Sequence, residues 1–129
     1  METTGLRLTD TEAAYFAGFI DGEGSFGHYT NTPRVAVSNT FLPVMKELQR
    51  TFGGTWHLRD VKTDRSRTCY AWVAYGDNAR NLCRALLPHL REKQRQAQIL
   101  LDIEHFPAGS AQRDALLAEL NTLKRVDHE

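Results

Sequence analysis

Apolar positions along this 129-residue chain follow two rhythms, and each change of rhythm marks an element. The first apolar run ends at Ile20. Thr9 or Asp10 can cap a helix in front of it, and Glu12 suits the dipole of its first turn. That helix is predicted to run to about Asp21 and to break at Gly22 to Gly24. Ser25 to Thr30 then reads as a strand, and Asn31-Thr32-Pro33 as a turn. Arg34 to Ser38 alternates, with Val35 and Val37 toward a core and Arg34, Ala36 and Ser38 opposite. Leu42, Met45, Leu48 and Phe52 form one stripe of a second helix, with Pro43 in its first turn and Gly53-Gly54 at its end.

A second strand pair follows. Thr55 to Val61 and Thr68 to Tyr75 flank a basic loop containing Lys62, Arg65 and Arg67, and Tyr70 and Trp72 are expected inward. Helices are predicted over 78–87, from His89 to about His105, and from Ala111 to Arg125, the last using Leu116, Leu117, Leu120 and Leu123. On the middle one, Lys93 lies four residues after His89, so both can face one site. The order α-β-β-α-β-β-α, with extra C-terminal helices, predicts an α+β fold with an antiparallel four-stranded sheet and helices on one face. The length suits one domain over residues 1–129, with a core of about 9–105 and a closing helix of about 111–125.

The sheet face turned away from the helices would carry Ser25, Gly27, Tyr29, Asn31, Arg34, Ser38, His57, Arg59 and Arg67. Such a polar, basic face can lie in the major groove of DNA and read base edges. Net charge is zero, but its distribution is uneven. Residues 25–100 hold twelve basic and five acidic side chains, a local +7 between ends of −4 and −3. A polyanion responds to that local field.

Other classes find little support. No stretch approaches the ~20 apolar residues of a membrane helix. The first residues lack a basic region followed by an apolar one, so an intracellular, non-secreted protein is expected. Cys69 and Cys83 are too few and too scattered for a disulfide framework or zinc site, and read as free thiols. His28, His57, His89, His105 and His128 show no metal-ligand spacing. No glycine-rich phosphate loop points to an organic cofactor.

The strongest chemical signal is Phe16-Ala17-Gly18-Phe19-Ile20-Asp21-Gly22-Glu23-Gly24. An apolar helix that ends in acids can deliver a metal ligand from a rigid element. Ala14, Gly18 and Gly22 recur every four residues, leaving a face without bulk that another helix backbone can approach. Gly18 inside a helix costs about 1 kcal/mol against Ala, so close packing is expected to offset it.

This run resembles the LAGLIDADG motif of homing endonucleases. Ala17, Gly18, Ile20, Asp21 and Gly24 match outright. Phe16 and Phe19 stand for the two leucines, Gly22 for the second alanine and Glu23 for the second aspartate. The element order agrees, as does the late segment from Leu87 to Ala97, in which Lys93 precedes a Gln-basic-Gln-Ala pattern. The single motif implies the homodimeric branch, with Ala14, Ala17, Gly18 and Asp21 at the dimer interface. The resemblance implies a site-specific double-stranded DNA endonuclease that uses Mg²⁺, or another divalent cation such as Mn²⁺, on a long near-palindromic site. It implies Glu23 and the Gly22 carbonyl as metal ligands, and Lys93, Asn39 and Asp21 as further members of the catalytic site. Ser25 would touch phosphate, and Lys62, Arg65 and Arg67 would contact the DNA backbone. A rival reading keeps the fold but not cleavage, as in an RNA splicing maturase or a DNA-binding regulator.

Overall fold

The computed structural model describes residues 8–59 and 68–127. Helix α1 spans Asp10–Glu23 and opens with a reciprocal capping box. The Glu12 amide donates to Thr9 Oγ1 at 3.1 Å, and the Thr9 amide donates to Glu12 Oε1 at 3.0 Å. Two orphan amides are thereby satisfied. Ala13, Phe16, Ala17 and Ile20 form the buried stripe of α1.

The expected break at Gly22 is absent, because α1 continues through Glu23 and passes directly into β1, Gly24–Tyr29. Gly24 permits this abrupt change. A Cβ there would lie 2.8 Å from the Ile20 carbonyl oxygen, so a larger residue would push the strand off the helix end.

Strand β2, Thr32–Asn39, pairs antiparallel with β1 through a two-residue turn at Thr30 and Asn31. Both turn residues have positive φ, 52° and 60°. Paired positive φ is what a tight hairpin needs to match strand twist. The turn thus falls earlier than expected, and Pro33 is buried within β2. Helix α2, Leu42–Phe52, leads to β3, Thr55–Leu58, and then to β4, Tyr70–Tyr75. The four-stranded antiparallel sheet has the order β1-β2-β4-β3, so β2 and β4 are central.

Helix α3, Gly76–Leu86, follows β4 directly, with Tyr75 as its N-cap. Phe26, Val35, Val37, Trp72 and Ala74 cover the inner sheet face and meet Ile20, Met45, Leu48, Leu82, Leu86, Ile99 and Leu100 in one core cluster. Trp72 is fully buried, and its indole N–H donates to the Gly53 carbonyl at 2.9 Å. That bond removes the penalty of burying a lone indole donor. Burial also pushes the Cys83 thiol up to about 12, so it is inert.

The helix expected from His89 to His105 is divided. A 3₁₀ turn at Leu87–His89 is followed by a non-helical stretch, and α4 begins only at Gln94 and ends at Asp102. The cause is tertiary: the Asp21 carboxylate holds the amides of Arg91 and Lys93. Lys93 is therefore the residue before α4, with φ −106° and ψ 16°, and does not share a helical face with His89. Helix α5, Ala111–Asp127, lies against α4, to which the Arg95–Glu119 ion pair ties it at 2.7 Å. Among the described residues, no helix is long and apolar enough to cross a membrane.

Candidate nucleic-acid interface and acidic site

Register decides which side chains share the open face of the sheet. Ser25 pairs with Ala36, Gly27 with Arg34, and Tyr29 with Thr32 across β1 and β2. Arg34, Ala36 and Ser38 pair with Tyr75, Val73 and Ala71 across β2 and β4. Thr55 and His57 extend the same face on β3. Because side chains alternate, this register brings together Ser25, Tyr29, Arg34, Ser38 and His57, as the alternation in the sequence suggested. Arg59 follows β3, is exposed, and donates its amide to the Cys69 carbonyl at 2.8 Å. Lys62, Arg65 and Arg67 lie outside the described residues.

Two expected members of this face behave differently. Gly27 is buried, because the Tyr29 ring folds back over it: a Cβ at 27 would lie 2.5 Å from Tyr29 Cε2. The ring, not the glycine, is the surface a ligand meets. Asn31 sits at the exposed hairpin tip, beyond the strand ladder. The face also gains Tyr75, whose hydroxyl lies 3.4 Å from Arg34 Nε. Its position was legible, since inward Trp72 and Ala74 leave Tyr75 outward by alternation.

The acidic site lies beside this face. Glu23 ends α1, is exposed, and lines a pocket of about 220 Å³ with Gly22, Gly24, Ser25, Glu92, Lys93, Gln96 and Lys124. Asn39 turns toward it from the end of β2. Its Oδ1 accepts from the Phe41 amide at 2.9 Å, which aims Nδ2 at Glu23 Oε1, 3.4 Å away. The amide of Asn39 thus orients Glu23 itself.

Lys93 is 8% exposed, and its ammonium donates to the Asp21 carbonyl at 2.6 Å and to Glu92 Oε2 at 3.3 Å. The backbone of Lys93 is equally constrained. Asp21 Oδ1 accepts its amide at 2.9 Å while Oδ2 accepts the Arg91 amide at 2.8 Å. Both carboxylate oxygens of Asp21 are thereby engaged. Asp21, expected in the catalytic site, thus meets the backbone that carries Lys93.

The expected dimer face is corrected at one residue. Ala17 is fully buried in the chain's own core. Ala14, Gly18 and Gly22 are exposed on the opposite side of α1. A Cβ built at Gly18 or Gly22 would meet nothing within 4 Å, so packing within this chain does not account for either glycine.

Lys124, near the end of α5, could not be found from the sequence. Its Nζ reaches Tyr29 Oη at 3.1 Å and lies 5.4 Å from the ring centroid. A leucine stripe says that α5 docks, but not that it docks with Lys124 beside Glu23.

The donor set suits a hard cation. Glu23, Glu92 and backbone carbonyls offer only oxygen. Among the described residues, no group of three or more His, Cys, Asp or Glu could cage a metal. Mg²⁺ fits such a sparse site, because it keeps several waters and takes phosphate oxygens as ligands.

The α+β fold, a four-stranded antiparallel sheet packed with helices, is shared with solved homing endonuclease structures. I-CvuI in complex with its target, in the presence of Ca, is 19% identical with a TM-score of 0.67, covering 88% of this chain and 82% of that one. I-CvuI on the I-CreI target in the presence of Mg, with the DNA not cleaved, is 20% identical with a TM-score of 0.66 over the same shares. The archaeal intron-encoded homing endonuclease I-Vdi141I, complexed with DNA, is 19% identical with a TM-score of 0.65, covering 88% and 84%. No curated protein matches the sequence significantly. The family model of the LAGLIDADG-like domain matches residues 10–86, more than half of the chain. The chain belongs to the LAGLIDADG family.

Proposed function

We propose that this chain is a site-specific DNA endonuclease that acts as a homodimer with a divalent cation. The observation that carries the reading is one juxtaposition. Glu23 and the buried Lys93 share a small pocket beside the sheet face that carries Ser25, Tyr29, Arg34, Ser38 and His57.

Hydrolysis of a phosphodiester needs an activated water, relief of developing negative charge and help for the leaving oxygen. A bound Mg²⁺ would supply charge neutralisation at the phosphate and a more acidic water. Glu23 would hold the ion through its carboxylate, with the Gly22 carbonyl as a second ligand. Asn39 keeps Glu23 aimed at the pocket. Lys93 brings a fixed ammonium to the same wall, and its burial spares reorganisation when charge develops. Ser25, beside Glu23, offers a hydroxyl to a phosphate oxygen. Asp21 acts through Lys93 by holding its backbone.

The open face of α1 supports the homodimer. Gly18 and Gly22 have space in front of them that a second copy of α1 would fill. Such contacts are isologous, and two α1 helices meeting there would bring both Glu23 tips toward the dyad. The two sheets would then span one long, near-palindromic duplex.

A cleavage selection on a pooled duplex library with Mg²⁺, run beside Glu23→Gln, tests the reading. Cutting of a two-fold-related site by the unaltered protein alone is the expected result. Equal cutting by Glu23→Gln would refute the assigned ligand. Site-specific retention without cutting would leave a binding protein on this fold, as in a splicing maturase or regulator.

A further inference from the structure

The open face holds one cation prepared in advance for a particular shape of ligand. Arg34 projects from β2, a central strand, between two aromatic rings. Its guanidinium carbon lies 5.8 Å from the Tyr29 centroid and 5.9 Å from the Tyr75 centroid. Both are within the ~6 Å at which a ring face attracts a cation. Its Nε points at Tyr75 Oη, 3.4 Å away. The opposing position on β1 is Gly27, so no side chain competes for the space, and Tyr29 fills it by folding back. Tyr29 is itself held by Lys124. These groups frame a shallow cavity of about 640 Å³ lined by Tyr29, Thr30, Thr32, Arg34 and Tyr75.

We propose that Arg34 is a specificity-determining residue that reads one guanine in each half of the DNA site, with Tyr75 and Tyr29 as positioning residues. The proposal rests on the DNA-binding reading above. With Nε turned to Tyr75, the two terminal nitrogens remain to face a ligand. They form a planar fork with parallel N–H groups. Guanine presents two acceptors, O6 and N7, to such a fork in the major groove. Adenine presents one acceptor and one donor there, so its amino group opposes the second N–H. Arg34 lies near the hairpin end of β2, but strands flank it on both sides, with Gly27 of β1 and Tyr75 of β4 opposite it. A side chain so flanked favours a base edge over a phosphate, because phosphates border a groove while its floor is bases. The tyrosines lower the entropic cost of ordering a long side chain before DNA arrives. A homodimer would present two such forks, so the guanines should be related by the dyad.

The test is a binding selection from a random duplex library without divalent metal, followed by affinity measurements at several salt concentrations. The unaltered protein should enrich a two-fold-related guanine and discriminate against other bases there by roughly 5- to 150-fold per half-site. Arg34→Gln removes the paired donors that match O6 and N7 and offers one donor and one acceptor, the pattern suited to adenine. It should leave the other positions unchanged while the guanine preference is lost. Tyr75→Phe should keep the guanine but reduce discrimination several-fold, with the salt slope unchanged. If Arg34→Gln keeps the guanine preference, the proposal is overturned. It is equally overturned if Arg34→Ala weakens all sequences alike and lowers the salt slope by about one per protomer, the signature of a phosphate contact. In both cases DNA binding itself would stand. If the unaltered protein retains no duplex even at low salt, the DNA-binding reading falls and this inference with it.

Discussion

Asp21 offers the sharpest separation of a structural from a chemical role. Its two oxygens accept the Arg91 and Lys93 amides at 2.8 and 2.9 Å. A hydrogen bond to a charged group contributes about 1.5–3 kcal/mol. One of the two is exposed and the other half-buried, so Asp21→Ala should cost ~3 kcal/mol instead of the full sum. Asp21→Asn keeps one acceptor but turns an NH₂ toward the other amide, and should cost ~2 kcal/mol on the same reasoning. Total stability is typically about 5–15 kcal/mol. With a urea slope of ~2 kcal/mol per M, the alanine variant should unfold about 1.5 M earlier. The assay is urea unfolding followed by circular dichroism at fixed protein concentration, with DNA cleavage measured on the same samples. Cleavage should fall in proportion to disordering of Lys93, and raising Mg²⁺ should not restore it. A direct metal ligand would behave oppositely. An unchanged urea midpoint, with activity recovered at high Mg²⁺, would refute the positioning role.

Two further outcomes follow from other sites. Gly18→Ala should stabilise the isolated chain by up to about 1 kcal/mol, since nothing lies within 4 Å of the new Cβ. Gly18→Leu should leave the fold intact while shifting sedimentation toward monomer, and an unchanged dimer would place the interface elsewhere. Burial, then the Arg113 and Arg80 cations, hold the His28 imidazole below its ordinary value of 6.5. The unfolded chain therefore binds the extra proton below that value. Stability should be full above pH ~6.5 and decline as pH falls toward the lower folded value. Urea midpoints of His28→Gln between pH ~7.5 and ~5.5 should be flatter than those of the unaltered protein, and parallel curves would refute this.

Local pattern was sufficient for much of the architecture. Alternation in 34–38 and 70–75 placed the strands and their buried faces, because a half-buried strand repeats every two residues. The Phe16–Gly24 run located the acidic tip of α1, because burial of its apolar side leaves Glu23 at the end. A cap at Thr9 or Asp10 was legible from residue type, and the structure selects Thr9, whose box partner Glu12 lies three residues on.

What the sequence left open was settled by partners far apart in the chain. Lys93 reads as mid-helix locally. It becomes the residue before α4 because Asp21, 72 positions earlier, captures its amide. Ala17 and Gly18 are adjacent small residues, yet packing buries one and leaves the other facing outward. Tyr29 covers Gly27 and meets Lys124, 95 positions away, only after α5 docks. Periodicity reports which face of an element is apolar, and so which face turns inward. It carries no information on which distant polar groups meet at the rim, because those contacts depend on the angles at which helices and sheet pack. The proposed site of this protein lies at that rim.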